Sequence, residues 1–370
     1  MQAVPAEAEA LGAARPLLIA GATPSITSRV QSLLPGAVGT WDDVRQHVPV
    51  ELADRCHQHA QSRGADLLVC VGGGSATGLA KAVALRGGLP VLAVPTTYAG
   101  SEMTPIWGQS QDEVKTTGRD VRVLPATVVY DPELLLALPP ALVGASGMNG
   151  LAHCVEALYA PAADPLSSVL ALEGARLFLE HLPVAYRNPD LAARGQVLLA
   201  CCLAGTVLGT VGTSLHHALC HLLGGMYDLP HAETHAVVLP HVLNVLLPAV
   251  QAPLRPLAQV LEVEVEQLPR AVWDVGAAVG SPRGLHALGL TDQDTAAAAR
   301  ALVANNPTSP IALQQAVADD LLTRALHGAR PRLDSPGPHR PPTRNGQPAG
   351  SQPHGTAAAA TTTHDDRSPA

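Results

Sequence analysis

The sequence predicts two successive architectures, an α/β domain built on a parallel sheet over residues 1–136 and an all-helical domain over 137–330. Three observations carry this. Across the first 130 residues, short apolar runs alternate with amphipathic stretches, the pattern of strands joined by crossover helices. From about Ala137 that alternation stops, and long Ala/Leu-rich stretches of helical character run to about Leu326. A chain of 370 residues is also long enough for two domains with ample buried core.

Each element follows from its local pattern. Buried-strand runs are expected at Pro16–Ala20, Ala37–Trp41, Asp66–Val71, Val91–Val94 and Thr127–Tyr130. Helices are expected between them at Ser25–Leu34, Val50–Arg63 and Ser75–Arg86, where apolar positions recur at helical spacing. The second domain offers helices at Gly150–Leu158, Pro165–Glu180, Leu191–Thr210 and Leu215–Leu223. Aromatics make up only 2% of residues, so the core must be Leu, Val and Ala packing. Residues 331–370, rich in Pro and almost without bulky apolar side chains, form a tail expected to be disordered, since it cannot bury enough surface to offset its ordering entropy.

Composition excludes several functions. A net charge of −8 with no Lys/Arg run argues against nucleic acid or an anionic membrane surface as partner. No stretch reaches about eighteen uninterrupted apolar residues, so none is expected to span a bilayer. The N-terminus carries acidic residues where a signal peptide carries basic ones. The six cysteines show neither CxxC nor disulfide-framework spacing, which fits a reduced, cytoplasmic setting.

Two loops point to a ligand crevice. The run Leu67–Val71 delivers the chain into Gly72-Gly73-Gly74-Ser75, followed by good helix formers. Glycines let the backbone approach a pyrophosphate, and a helix starting there, with Ser75 suited to cap it, aims free N–H groups at the anion. The next strand leads into Pro95–Glu102, with Thr96 and Thr97. Successive parallel strands end on one side, so both loops face one crevice. Taken alone, either loop is also an ordinary capped turn.

Histidines supply the third signal. Asn149/His153, His217/His221 and His231/His235 are pairs four residues apart, which share a helix face with Cβ atoms roughly 5–6 Å apart. Imidazole is the commonest metal ligand and titrates near neutral pH. Any single histidine is more often a satisfied core or surface group; three such pairs in one apolar segment read as a site. No GxSxG nucleophile elbow is present, which counts against a hydrolase.

The segments GGGSATGLAKAVAL, VPTTYAGSEMTPIWG, KTTGRDVRVLPATVVYDPELLLALPP, SGMNGLAHCVEALYA and LHHALCHLLGGMYDLPHAETHAVVLPH together resemble the iron-containing (group III) alcohol dehydrogenase superfamily, and within it the maleylacetate reductases, over roughly residues 16–330. The resemblance implies a Rossmann-like dinucleotide-binding domain and a helical catalytic domain, the dehydroquinate synthase-like architecture. It implies NADH or NADPH as cofactor, contacted by Gly72, Gly73, Gly74, Ser75, Thr96 and Thr97. It implies reduction of the C=C bond of maleylacetate or a chlorinated maleylacetate to 3-oxoadipate in aromatic breakdown, and a homodimer.

By the same resemblance, Asn149, His153, His217 and His231 occupy metal-ligand positions of iron-dependent relatives, with Asn149 where those carry Asp. An amide offers a carbonyl dipole where a carboxylate offers a full charge, so no tightly bound metal is expected and the four form a vestigial site. His217, His221, His231, His153 and Asn149 are then the catalytic candidates, His217 and His231 stabilising an enolate and His221 relaying a proton. His235 is an open candidate for a supporting role. The substrate would be a small dicarboxylate, so local cations must hold it. Lys115, Arg119 and Arg122 are candidates, while Lys81 is expected to face solvent or the phosphates. Glu102 and Glu156 are expected to be structural only. Departures from relatives are Ala218 where Lys is common, the Pro-rich tail, and an N-terminal edge that appears shortened. The alternatives are a metal-dependent alcohol dehydrogenase and a non-catalytic nucleotide-binding remnant.

Overall fold

Apolar runs of five or six residues, too short for helices and buried on both faces, build the sheet. The computed structural model describes residues 1–111 and 114–332. Its first half reads α1 (Val4–Ala10), β1 (Pro16–Ala20), α2 (Pro24–Ser32), β2 (Gly39–Trp41), α3 (Val50–Ser62), β3 (Leu67–Gly72), α4 (Gly74–Gly87), β4 (Val91–Pro95), β5 (Ile106–Gln111), β6 (Val114–Arg119) and β7 (Thr127–Val128). The main sheet has strand order β2-β1-β3-β4-β7, with every pairing parallel. All residues of β1, β3 and β4 are buried. The expected strands therefore stand where the apolar runs put them, and β7 is the shortest, two residues at the sheet edge.

Two elements escape the pattern. Helix α1 precedes the sheet, and β5 and β6 pair antiparallel as a separate hairpin, with Ile106 opposite Arg119. The hairpin is largely polar on both strands (IWGQSQ against VKTTGR), so it offers no apolar alternation to read.

The second half is helical: α5 (Pro140–Ala157), α6 (Pro165–Arg187), α7 (Leu191–Val211), α8 (Leu215–Tyr227), α9 (His231–Val260), α10 (Leu268–Ala278), α11 (Asp292–Asn305) and α12 (Gln315–His327). Helix α5 is buried from Val143 to Ala157, so it is the central rod against which α6, α7 and α9 pack. Its start, unlike the expected Gly150, lies at Pro140, because a proline in the first turn is pre-set for helix. Helix α6 begins with a capping box at Asp164 and Ser167.

Helices α7 and α9 correct one expectation. Both are long and apolar enough, by length and composition, to cross a membrane. Averaged hydropathy tolerates the polar residues that interrupt an uninterrupted apolar run. Within the protein, 50% of the apolar window of α7 and 67% of that of α9 are buried. Buried Arg194 of α7 donates to the carbonyl of Leu135, and α9 turns His235, His241 and Asn244 inward.

The two halves meet closely at Gly100, which adopts φ +76°, and Gly205 of α7. A Cβ on Gly205 would stand 2.1 Å from the Gly100 carbonyl oxygen. Of the expected tail, Pro331 accepts a 2.9 Å bond from Arg270 Nε; the tail beyond residue 332 lies outside the described residues.

Gly205→Ala should therefore force α7 away from the 100–103 turn and cost about 1–3 kcal/mol. Urea unfolding would measure it, and an unchanged midpoint would refute the contact's importance.

Candidate active site

The glycine loop is built by close approach. Gly72 has φ +152°, and a Cβ there would fall 2.8 Å from the Ala76 Cβ and 3.0 Å from the Gly21 backbone. The helix cap is Gly73, not Ser75: α4 starts at Gly74, placing Ser75 inside its first turn. A glycine wins the cap because Thr97 stands 3.0 Å from where a Gly73 Cβ would lie. The result is a side-chain-free cradle at the N-terminus of a 14-residue helix, with Gly74 exposed. This arrangement fits a pyrophosphate.

The threonine turn is locked beside it. Thr96 N–H donates to the Gly72 carbonyl at 2.9 Å. Two residues on, Tyr98 N–H donates to Ser146 Oγ of α5 at 3.4 Å, so the turn joins the cradle to the helix carrying Asn149 and His153.

Lys81 corrects its expectation. It faces neither solvent nor phosphate, and is 1% exposed. Its ammonium donates to the carbonyls of Ser101, Thr104 (2.7 Å) and Ile106 (3.0 Å) and to Thr104 Oγ1 (2.9 Å). Helix α4 faces the 101–106 turn with its only long side chain there, and the turn's unpaired carbonyls capture it. Burial pulls its pKa down to about 8, with buried Glu102 opposing that fall. Glu102 itself accepts from Tyr130 Oη at 2.8 Å, and burial raises its carboxyl.

The histidines converge. His153 and His217 stack with ring centroids 4.9 Å apart, and His221 stacks on His231 at 5.9 Å. His235 stands at the centre, 4.4 Å from His231, 4.6 Å from His217 and 4.8 Å from His216. Asn149, His153, His216, His217 and His235 are buried, whereas His221 and His231 are exposed at the rim. Burial first, and the neighbouring imidazoles second, hold His153, His216 and His235 well below the ordinary histidine pKa. Asn149 Oδ1, His153 Nδ1, His217 Nε2 and His235 Nε2 are buried polar atoms without a hydrogen-bond partner among the described residues. Groups of this kind are normally satisfied, and His216 Nδ1 makes a fifth such atom on these residues.

Two residues in this cluster were not anticipated. Glu156, expected to be structural only, accepts from His217 Nδ1 and, through Oε1, from the backbone N–H of His216 at 3.0 Å and of His217 at 3.4 Å. It thus fixes a candidate catalytic ring. His216, absent from the predicted set, places Nε2 2.9 Å from His235 Nδ1. Its signal was present: Leu215, His216, Leu219, Cys220 and Leu223 form one buried helical stripe.

The candidate cations stand elsewhere. Arg119 donates to the Gly209 carbonyl. Arg122 is held by Asp120 at 2.6 Å on the surface. Neither is brought to the imidazoles. Lys115 lies on β6, its side chain outside the described residues.

Comparison with known proteins identifies the class. Residues 1–132 match the model for iron-containing alcohol dehydrogenase, and residues 143–326 match that for the C-terminal part of the Fe-containing alcohol dehydrogenase family. The chain belongs to the iron-containing alcohol dehydrogenase family and is an oxidoreductase. Within the family it is similar to maleylacetate reductases. That of Rhizobium sp. (strain MTP-10005) is 44% identical over 330 residues, 88% of this chain and 93% of its own. That of Burkholderia cepacia is 44% identical over 328 residues, with the same coverage. The crystal structure of maleylacetate reductase from Agrobacterium tumefaciens superposes with a TM-score of 0.85 at 43% identity, covering 89% of this chain and 94% of that one.

The family's name raises the question of a metal. Ligand atoms within 4.8 Å of one another occur in two groups among the described residues, His216/His217/His235 and His221/His231/His235. Neither contains His153, and neither joins His217 to His231. Of the positions that the resemblance assigns to a metal, Asn149, His153, His217 and His231, His217 falls in the first group and His231 in the second. They also lack a carboxylate, Glu156 being committed to His217. With neutral donors alone, these four positions offer a divalent ion no counter-charge.

Replacing Lys81 with Met leaves buried carbonyls without their donor, so stability should fall by about 2 kcal/mol or more and amide exchange should accelerate across residues 101–106. Unchanged exchange there would refute the pin. Acid should also unfold the protein through its buried neutral histidines. His241 is the clearest, held down to about 4 chiefly by burial. Between the unfolded value of 6.5 and about 4, the unfolded chain binds a proton that the folded chain refuses, so stability falls as pH drops through that window. Urea midpoints should decline from pH 7 to pH 5, less steeply in His241→Leu; a flat profile would contradict this.

Proposed function

We propose that the protein reduces the C=C bond of maleylacetate, or of a chlorinated maleylacetate, to the corresponding 3-oxoadipate at the expense of NADH or NADPH. The observation that carries this reading is the joining of the glycine cradle, the Thr96–Tyr98 turn and the unsatisfied imidazole cluster through Tyr98 and Ser146. The similarity to maleylacetate reductases supports the substrate. The reading takes residues 1–136 as the nucleotide-binding domain, 137–330 as the catalytic domain and 331–370 as a tail, acting as a cytoplasmic homodimer.

Bound NAD(P)H supplies a hydride. Gly72, Gly73, Gly74 and Ser75 would hold its pyrophosphate, with Thr96 and Thr97 bounding the same crevice. The substrate's double bond is conjugated to a ketone, so the hydride adds to the carbon β to it and negative charge collects on the ketone oxygen. Catalysis then needs a donor at that oxygen and a proton for the α-carbon. His217 meets the first need. Glu156 can only accept, so His217 Nδ1 carries a proton, and a second proton on Nε2 makes an imidazolium whose charge Glu156 balances. His231 shares this role from the rim, and His221 delivers the proton, being exposed where it exchanges with solvent. His153, Asn149 and His235 complete the polar floor. Arg119 and Arg122, engaged elsewhere, would have to leave their partners to hold a carboxylate.

No metal is assigned a part. Chelator-treated protein should therefore oxidise NADH when given maleylacetate. Turnover that appears only after adding iron or zinc, with a simple aldehyde, would shift the reading to a metal-dependent alcohol dehydrogenase. His221→Ala should lower turnover by about 10²-fold or more; a loss of under about threefold would remove His221 from the proton path.

A further inference from the structure

We propose that the groove between β7 and the C-terminal half of α7 binds a carboxylic acid with an apolar body, its carboxylate held by Arg119 at the rim. The groove shares no residue with the glycine cradle or the imidazole cluster, and the inference does not depend on the reaction proposed above.

The groove lies where the sheet ends. Strand β7 pairs with β4 on one side and, among the described residues, with no strand on the other. The chain enters it through Leu124 and Pro125, and a proline has no N–H to offer a further strand. Beside this edge, the 102–105 turn and α7 leave a cavity of about 610 Å³. Sites for small organic molecules run to roughly 300–1,000 Å³, so the space suits one. Its walls are largely apolar, with Leu124, Pro125 and Val128 on the strand side and Met103 and Pro105 on the turn. Leu124 is 38% exposed, an apolar surface left open to solvent.

Charge sets the class of ligand. Inside the groove the polar groups accept bonds. Thr206 and Thr210 spend their hydroxyl protons on the carbonyls of Cys202 and Thr206, each at 2.8 Å. Glu102 accepts from Tyr130 Oη at 2.8 Å and from Cys201 Sγ at 3.4 Å. An anion finds no counter-charge among these groups, so the body of a ligand is uncharged and its negative charge stays at the rim. Arg119 supplies the partner there. It ends β6, is exposed, and donates through Nη2 to the carbonyl of Gly209, a lining residue. The next residue fixes its place, Asp120 N–H donating at 2.9 Å to the carbonyl of Pro105, also in the lining. A guanidinium carries five donors, and a carbonyl neutralises none of its charge. Arg122 differs, its charge being met by Asp120. Among the described residues no carboxylate pairs with Arg119, so its planar fork is open to the anion whose geometry it matches.

Calorimetric titration of the full chain tests this, with 3-phenylpropionate as probe and 3-phenylpropanol as its uncharged counterpart. The acid should bind about tenfold or more tighter than the alcohol, the scale of one added charge-assisted bond. Arg119→Met should bring the two affinities together, while Arg122→Met keeps the preference. Thr206→Trp, which fills the groove, should abolish binding of both, and His221→Ala should leave it unchanged. Equal affinities in the unaltered protein, or a preference that survives Arg119→Met, would overturn the site. So would loss of acid binding in His221→Ala, which would place the acid among the imidazoles. Failure of 3-phenylpropionate, benzoate and octanoate alike to bind would also end the proposal. A dimer that Leu124→Asp breaks into monomers would give the groove to a second copy of the chain, and would overturn it too.

Discussion

The helical half of the site depends on one buried carboxylate. The N-terminus of α8 brings backbone N–H groups that no helix can satisfy internally. Glu156, on the fully buried α5, meets the N–H groups of His216 and His217 with one oxygen and the His217 ring with the other. A carboxylate is favoured there by the positive end of the helix dipole, and charge-assisted bonds of this kind are the stronger sort. One side chain therefore sets where α8 begins, how it meets α5 and which way His217 faces. The orientation of His221, one turn further along the same helix, follows from that placement.

The nucleotide half depends on a different constraint, backbone against backbone. Gly21, Gly72 and Gly73 allow β1, β3 and α4 to meet the Thr97 turn with no side chain between them. Lys81 then ties α4 to the turn that follows. These contacts make the cradle rigid before any ligand arrives, which is what orienting a hydride donor requires.

Much of this was legible in the sequence, and the reason is periodicity. Strands buried on both faces read as continuous apolar runs, so β1, β3 and β4 appeared within a residue or so of their ends. The imidazole pairs appeared because i, i+4 spacing is local. What failed to appear was decided by tertiary partners. His216 and His217 are adjacent in sequence and point to different neighbours, so only the fold shows that His216 joins His235. Lys81 reads as a surface residue until the 101–106 turn closes over it. The polar hairpin β5/β6 has no apolar face to announce it, and Glu156 became part of the site only when α8 was laid against α5.

The burial gradient across the imidazoles gives the cluster its chemical order on the proposed reaction. His153, His216 and His235 are enclosed and held neutral, so they can position a ring or accept a bond but are poor stores of protons. His221 and His231 meet solvent. His217 lies between the two sets, buried and held through Nδ1 by Glu156. An enolate formed against that floor would meet its donor at His217 and its proton from the rim. Water would enter from the side where the proton is replaced, and the carbon receiving hydride would remain on the dry side.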